Sequence, residues 1–156
     1  MKLHVFAVGR KMPAWVNAGF DEYSRRMPRT LRVELMEIKP AARTGGEQSA
    51  QWLRIEAQRI RAAVPAGCVQ VVLDERGKLP TTDEFARRLE SWQRDARPVA
   101  FIIGGADGIA WEFQRGADWL LALSRLTLPH GLTRVLLAEQ LYRAASLLAG
   151  HPYHRE

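Results

Sequence analysis

Apolar residues in this chain form short continuous runs, and the stretches between them have helical spacing. The continuous runs at 3–8, 69–73, 98–103 and 119–123 predict buried strands, and the alternating pattern at 31–38 predicts a strand that is covered on one side. Buried strands that alternate with helices are typical of a mainly parallel sheet with helices on both faces. The chain is therefore predicted to be an α/β protein.

Four stretches with helical spacing follow the strands: one that starts at Pro13, one over 47–63, one from Thr81 or Thr82 to about Asp95, and one over 132–149. Gly150 ends the last of these, because glycine is the usual residue just past a helix C-terminus. The 156 residues contain no internal repeat and no interdomain linker, so we expect one domain over 1–156.

The chain is basic, with a net charge of +6, and most of its 23 basic residues are Arg. Arg binds phosphate in a bidentate way and stacks on bases, which favours a nucleic-acid partner. The alternative is that the Arg content reflects genome composition and that the charge serves solubility. Charge alone leaves the two interpretations open.

Other function classes have little support in the sequence. The apolar run at 3–8 is too short for a signal peptide or a membrane span, so we expect a cytoplasmic protein without membrane contact. Cys68 is the single cysteine, which excludes an internal disulfide and a multi-cysteine zinc site. His151 and His154 could bind a metal, but Pro152 interrupts their spacing and no carboxylate lies at a familiar ligand spacing. We therefore expect no metal.

Ligands of open α/β sheets bind beyond the carboxyl ends of the strands. Three such ends carry unusual sequences here: the one after Leu73, the glycine-rich residues 104–108, and residues 123–130. Glycines let a ligand approach the main chain, although strand-end glycines more often serve turns. The side chains of Leu123, Leu126 and Leu128 could surround an adenine, so these loops predict an adenosyl pocket.

Cationic and polar aromatic residues are concentrated near the C-terminus: His130, Arg134, Arg143, His151, Tyr153, His154 and Arg155. Such groups suit contacts with phosphate and with an unstacked base. Glu139 and Arg143 lie one helical turn apart, so a surface ion pair is the alternative interpretation of Arg143. The apolar residues of the same helix, Leu132, Leu136, Leu141, Ala145 and Leu148, are expected to pack on the core or on a second subunit.

Three C-terminal motifs, LTLPH at 126–130, RVLLAEQLYRA at 134–144 and HPYHRE at 151–156, resemble those of the ribosomal RNA large subunit methyltransferase H family, which belongs to the SPOUT superfamily. Further matches, among them Met1-Lys2-Leu3, Gly104-Gly105 and Gly108, extend the resemblance along the chain. It implies a SPOUT fold whose C-terminal segment forms a trefoil knot. It also implies a homodimer, without a separate RNA-binding domain.

The resemblance further implies an enzyme that uses S-adenosylmethionine to methylate N3 of a pseudouridine in large-subunit ribosomal RNA, on the assembled ribosome. The implied cofactor residues are Leu73, Gly104, Gly105, Leu123, Ser124, Arg125, Leu126, Thr127 and Leu128. The implied RNA-binding residues are Arg134, Tyr153 and Arg155, and the catalytic candidates are His130, Arg143 and His154, in part from the partner subunit. His130 and His154 are both hypotheses for the general base.

This chain departs from the family at Ala106-Asp107, where Pro-Glu is common, and at Gly131. Two other functions stay open from the sequence: a ribosome-binding or assembly factor without turnover, and a SPOUT methyltransferase with another RNA target. Absence of cofactor binding would identify the assembly factor. Assays with a panel of RNA substrates would distinguish a SPOUT methyltransferase with another target from one that acts on the pseudouridine. The loop at 40–46 is assigned no function.

Overall fold

Five parallel strands form the centre of the molecule in a computed structural model that describes residues 1–43 and 48–155, without the side chain of His154. The strands are β1 (Lys2–Val8), β2 (Arg32–Ile38), β3 (Val69–Lys78), β4 (Val99–Ile103) and β5 (Trp119–Leu121). Their order across the sheet is β2-β1-β4-β3-β5, and each neighbouring pair is parallel. The predicted parallel α/β sheet is confirmed.

Position in the sheet explains the two kinds of strand pattern. Each residue of the central strand β4 is buried, as its continuous apolar run requires. The edge strand β2 alternates instead: Arg32, Glu34 and Met36 are exposed, whereas Val33 and Leu35 between them are partly buried against the core. The alternating pattern therefore marks an edge strand that packs with one face only.

Helices cover both faces of the sheet. They are α1 (Ala14–Ser24), α2 (Ser49–Ala63), α3 (Thr82–Arg94), α4 (Trp111–Arg115) and α5 (His130–Leu148), and a 3₁₀ turn, Pro152–Arg155, follows. Phe20 of α1, Leu89 of α3 and Leu141 of α5 share one apolar cluster with the sheet. Ile60 of α2 and Phe113 of α4 belong to a second cluster on the opposite face. The sheet thus lies between two layers of helices, as predicted.

The structure differs from the sequence prediction at three elements. Strand β3 continues to Lys78 through an irregular pairing with β5, although the apolar run ends at Leu73. Gly77 permits this pairing, because a Cβ there would lie 2.5 Å from the carbonyl oxygen of Leu120. Helix α4 was not predicted, since its five residues are too few to show a period. Helix α5 begins at His130, two residues earlier than expected.

Helix α3 begins as its sequence predicts. Thr81 is the N-cap: its hydroxyl accepts a hydrogen bond from the backbone N–H of Glu84 at 3.1 Å, and the Glu84 carboxylate accepts one from the N–H of Thr81. This cap fixes the point where the chain leaves β3 and turns back along the sheet.

Residues 44–47, part of the predicted loop and of the start of the second helix, lie outside the described residues. The trefoil knot stays a prediction of the family resemblance. Among the described residues no helix is long and apolar enough to cross a membrane.

Candidate functional site

A pocket of about 700 Å³ lies where the carboxyl ends of β3, β4 and β5 meet the start of α5. Its volume is in the range of small-molecule sites. Eight of the nine predicted cofactor residues line it: Leu73, Gly104, Gly105, Leu123, Ser124, Leu126, Thr127 and Leu128. The three strand ends that the sequence marked as unusual therefore surround one cavity.

Arg125 is the predicted cofactor residue that does not line the pocket. Its guanidinium donates a hydrogen bond to the carbonyl oxygen of Glu75 at 2.6 Å. The neighbouring Thr127 hydroxyl donates to the Glu75 carboxylate at 2.7 Å. Arg125 and Thr127 thus hold the loop before α5 against the residues that follow Leu73, and Arg125 contributes to the pocket through that loop.

The pocket has an apolar wall on the side of the 123–129 loop. Leu126 is 76% exposed, and the side chains of Leu123 and Leu128 are half-buried beside it. A leucine so exposed at the mouth of a cavity leaves apolar area in water that a flat aromatic ligand could cover. This wall suits a flat, apolar ring.

Polar groups line the part of the pocket next to this loop, where Asp74, Glu75 and Arg76 follow Leu73. Burial tends to raise the pKa of Asp74, but the hydrogen bonds and positive charge of Arg76, with a hydrogen bond from Gln114, outweigh it and lower the pKa below its usual value. Asp74 is therefore ionised at neutral pH. These three residues were not predicted to belong to the site, although their position directly after a buried strand is a signal for it.

The glycine-rich residues 104–108 form a tight turn at the end of β4. The N–H of Gly108 donates to the carbonyl of Gly105 at 3.0 Å, and Gly108 has a positive φ of 83°. At Gly104 a Cβ would lie 2.5 Å from the carbonyl oxygen of Gly108. Gly104 is therefore required by the packing of its own turn, which forms one wall of the pocket.

His130 lines the pocket and contacts this turn: its Nδ1 lies 2.7 Å from the carbonyl oxygen of Gly104. The other ring nitrogen, Nε2, accepts a hydrogen bond from Nε of Arg134 at 3.0 Å. Burial lowers the pKa of His130, and the charge of Arg134 adds to this effect against the hydrogen bond to Gly104 and the charge of Glu37. His130 is therefore neutral at pH 7.

The predicted RNA contact of Arg134 is contradicted by its position, because the residue is 0% exposed. Its guanidinium donates to His130, to the Glu37 carboxylate at 2.8 Å and to the carbonyl of Gly9 at 3.1 Å. A buried guanidinium with this set of acceptors is an internal structural group. In this chain Arg134 connects the ends of β1 and β2 to α5 rather than facing solvent.

Arg143 and Tyr153 belong to a separate cluster at the far end of α5. Arg143 pairs with Glu139 at 2.7 Å and lies 4.8 Å from the ring centre of Tyr153, whose hydroxyl donates to Glu139 at 3.2 Å. The alternative interpretation of Arg143 as an ion-pair partner of Glu139 is confirmed, but the pair is partly buried and not at the surface, because the two side chains are only 20% and 14% exposed. The pair anchors the C-terminal turn onto α5.

The catalytic candidates are not brought together within the single chain. At about 1.5 Å per helical residue, Arg143 lies about 20 Å further along α5 than His130. Arg155 is exposed in the 3₁₀ turn beyond, and the side chain of His154 lies outside the described residues. The pocket and the C-terminal cluster are thus two separate sites on one protomer.

A second hollow, of about 640 Å³, lies beside α3 and is lined by Lys78, Leu79, Pro80, Glu84, Arg87, Arg88, Ser91 and Trp119. Arg88 stacks over Trp119 at 4.8 Å, and the charged side chains of Lys78 and Arg87 are exposed. Its lining contains three basic side chains and one acidic side chain. Its walls lack the glycine turn that the strand-end pocket has.

No group of three or more metal-ligating side chains lies together in residues 1–43 and 48–155. The buried Cys68 is a free thiol, and burial raises its pKa. Neither feature adds a group to the pocket.

Comparison with known proteins gives consistent matches along the chain. Residues 1–154 match the family described as "Predicted SPOUT methyltransferase". The chain is 56% identical over 155 residues to ribosomal RNA large subunit methyltransferase H of Burkholderia vietnamiensis, with 99% of each chain covered, and it is equally similar to the protein of that name from Burkholderia multivorans.

Solved structures with the same fold are far more distant in sequence. A probable methyltransferase from Bordetella pertussis Tohama I has a TM-score of 0.54 at 17% identity, covering 92% of this chain and 95% of its own. A probable methylase family protein from Haemophilus influenzae has a TM-score of 0.53 at 13% identity, covering 97% of this chain and 69% of its own. At these identities the likeness concerns the fold.

Proposed function

Because the chain belongs to the SPOUT methyltransferase family, and there to the relatives of ribosomal RNA large subunit methyltransferase H, we propose that it methylates ribosomal RNA with S-adenosylmethionine as donor. The proposed target is N3 of a pseudouridine in the large-subunit RNA of the assembled ribosome. The observation that carries the proposal is the pocket, which joins an apolar wall, carboxylates and a glycine turn at one end of the sheet. A ribosomal substrate places the enzyme in the cytoplasm.

The side chains around the pocket fit an adenosyl ligand. Leu123, Leu126 and Leu128 would cover the faces of the adenine, and the main chain of their loop offers donors and acceptors to its edge. The carboxylates of Asp74 and Glu75 would accept hydrogen bonds from ribose hydroxyls or face a positive charge. S-adenosylmethionine, when bound, supplies a methyl group on a positively charged sulfur.

The chain itself must then present the base and exclude water. Holding the target nitrogen in line with the methyl group supplies much of the rate acceleration of methyl transfer. The 123–129 loop is fixed for this purpose by its bonds to Glu75, and Ser124 caps it by accepting a hydrogen bond from the N–H of Leu126 at 2.8 Å. A rigid loop keeps the pocket preformed.

N3 of the base carries a proton that has to leave. We assign this step to His154 as general base, and to Arg143 and Arg155 the stabilisation of the resulting anion. Since these residues lie at the far end of α5 from the pocket of their own chain, they would act on the pocket of the partner subunit in a homodimer. Tyr153 would stack on or bind the RNA nearby.

The basic composition supports an RNA substrate. A net charge of +6 draws a polyanion to the surface and strengthens binding at low salt. The second hollow adds two exposed cations to this surface, Lys78 at the end of β3 and Arg87 on α3. Cations there would contact backbone phosphates rather than read the base.

The experiment is transfer of a labelled methyl group from S-adenosylmethionine to ribosomes, isolated subunits and naked ribosomal RNA from cells that lack this protein. We expect label on the assembled ribosome, and loss of it when the ribosomes come from cells that cannot form pseudouridine. Label on RNA without pseudouridine would indicate another target. No label, together with no cofactor binding by the folded protein, would favour a ribosome-binding factor without turnover.

A further inference from the structure

The imidazole of His130 is hydrogen-bonded at both ring nitrogens. Nδ1 faces the carbonyl oxygen of Gly104 at 2.7 Å, and Nε2 faces the Nε of Arg134 at 3.0 Å. A carbonyl can only accept a hydrogen bond, and a guanidinium can only donate one. The partners therefore fix the tautomer: the proton is on Nδ1, and the lone pair of Nε2 is used by Arg134.

Arg134 is itself held in place from two other elements. Its Nη1 donates to Glu37 at the end of β2, and its Nη2 donates to the carbonyl of Gly9, just after β1. Because Arg134 is fully buried and always charged, its Nε–H is directed at His130 whatever the pH. A proton on Nε2 would place two N–H groups and two positive charges against each other.

The carbonyl of Gly104 belongs to the turn that forms one wall of the pocket. Each peptide bond of the described residues is trans, so the N–H of Gly105 points away from the oxygen that His130 holds. Fixing this oxygen therefore fixes the plane of the whole 104–105 peptide. The turn is also held by the bond from Gly108 to Gly105 and by the ion pair of Asp107 with Arg43.

We propose that His130 is a positioning residue and not a proton acceptor: locked in its Nδ1–H tautomer by Arg134, it holds the 104–105 peptide in the orientation that receives the cofactor. The hydrogen bonds of His130 and Arg134 together join the ends of β1, β2 and β4 to the first turn of α5. The inference rests on the proposed function insofar as it treats the pocket as the cofactor site. It removes His130 from the candidates for general base.

The tautomer can be read without any activity assay. In the intact protein, long-range ¹⁵N–¹H correlation spectra of the histidine rings, assigned by the missing signal in His130→Asn, report which nitrogen carries the proton. We expect Nδ1–H for His130 at each pH between about 5.5 and 8, around the usual histidine pKa. The charged groups acting on the ring are Arg134 on α5 and Glu37 on β2. A proton on Nε2, or ordinary titration within this range, would overturn the proposal.

Matched variants separate positioning from base catalysis. In His130→Asn the amide nitrogen can take the place of Nδ1 and donate to Gly104, so we expect cofactor affinity and the transfer rate at saturating cofactor to stay within about threefold of the wild type. In His130→Leu the carbonyl loses its donor, and we expect cofactor affinity to fall by roughly tenfold, with a smaller change in the saturated rate. His4→Asn, remote from the pocket, is the control.

A general base at His130 would give the opposite split: both variants would bind the cofactor normally and lose the saturated rate. That result would overturn the proposal even if the fold were intact, which thermal unfolding checks. If His130→Leu does not fold, the spectra of the wild type and of the Asn variant still test the tautomer of His130. Failure of the wild type to bind S-adenosylmethionine would instead refute the proposed function and leave the tautomer assignment standing.

Discussion

The shape of the pocket depends on glycine at position 104, because no larger residue fits into its turn. A Cβ at this position would lie 2.5 Å from the carbonyl oxygen of Gly108 and 2.6 Å from Ile109. We expect Gly104→Ala to destabilise the fold by about 1–3 kcal/mol through overpacking and to weaken cofactor binding by displacing the turn. Calorimetric titration with S-adenosylmethionine and denaturant unfolding measure both effects.

Gly116→Ala is the matched control for Gly104→Ala. A Cβ at Gly116 would lie 3.7 Å from its nearest neighbour, the carbonyl oxygen of Phe113, which is ordinary contact. We expect a change in unfolding free energy within about 0.5 kcal/mol and unaltered cofactor binding. If the two variants lose equal cofactor affinity, the Gly104 turn is not a specific part of the cofactor site.

The pKa of the Tyr153 phenol leads to a prediction at a defined pH. Burial, followed by the charge of Glu139, raises the pKa of its phenol to about 12. A raised acid pKa means that the neutral phenol stabilises the docked C-terminal turn below the ordinary tyrosine pKa near 10, and that this contribution is lost as the pH rises through about 12. In ultraviolet titration of the three tyrosines we expect Tyr153→Phe to remove the late phase. If it removes a phase near 10 instead, the contact with Glu139 is absent in solution.

Residue types in the site could be predicted from the sequence, but their partners could not. Leucines and glycines at strand ends indicated the pocket, because parallel strands bring their carboxyl ends together. Arg134 shows the limit: an arginine within a basic C-terminal segment predicts an RNA contact, whereas its acceptors, Gly9 and Glu37, are more than 90 residues earlier in the chain. Only the three-dimensional path brings them together and buries the charge.

At the scale of elements, the N-cap of α3 carries a stability prediction that is independent of the pocket. Thr81→Ala removes the acceptor for the N–H of Glu84 and breaks the capping box. We expect a loss of about 1 kcal/mol in unfolding free energy, within the 0.5–2 kcal/mol usual for caps, and unchanged cofactor affinity. The exposed Thr30→Ala is the control in the same denaturant titration. A loss of cofactor affinity in Thr81→Ala would mean that α3 and the pocket are coupled.

Elements with a long apolar pattern were predicted well, and elements set by contacts were not. The buried strands and the longer helices follow from hydrophobic period alone. The extension of β3 to Lys78 depends on Gly77 meeting the backbone of β5, and α4 is too short for any period to show. The early start of α5 has a consequence for the site, because it places His130 in the first helical turn, beside the Gly104 turn.

At the scale of the whole molecule, the separation of pocket and C-terminal cluster predicts complementation between subunits. Arg143→Ala keeps its pocket, and Gly104→Ala keeps its C-terminal cluster. If each active site combines the pocket of one subunit with the cluster of the other, mixed dimers contain one intact site. After refolding an equal mixture, we expect roughly a quarter of wild-type activity, well above the activity of either variant alone. Activity no higher than that of the separate variants would place the whole site within one chain.

The proposed reaction is methylation of N3 of a pseudouridine in large-subunit ribosomal RNA, with the methyl donor bound in the strand-end pocket. The most direct test is mass spectrometry of nucleosides from the ribosomal RNA of a strain that lacks the protein, complemented with the wild type or with Gly104→Ala. Complementation with the wild type should restore one N3-methylated pseudouridine, and the variant, at equal protein level, should restore much less. A nucleoside profile that is the same with and without the wild-type protein would contradict the claim.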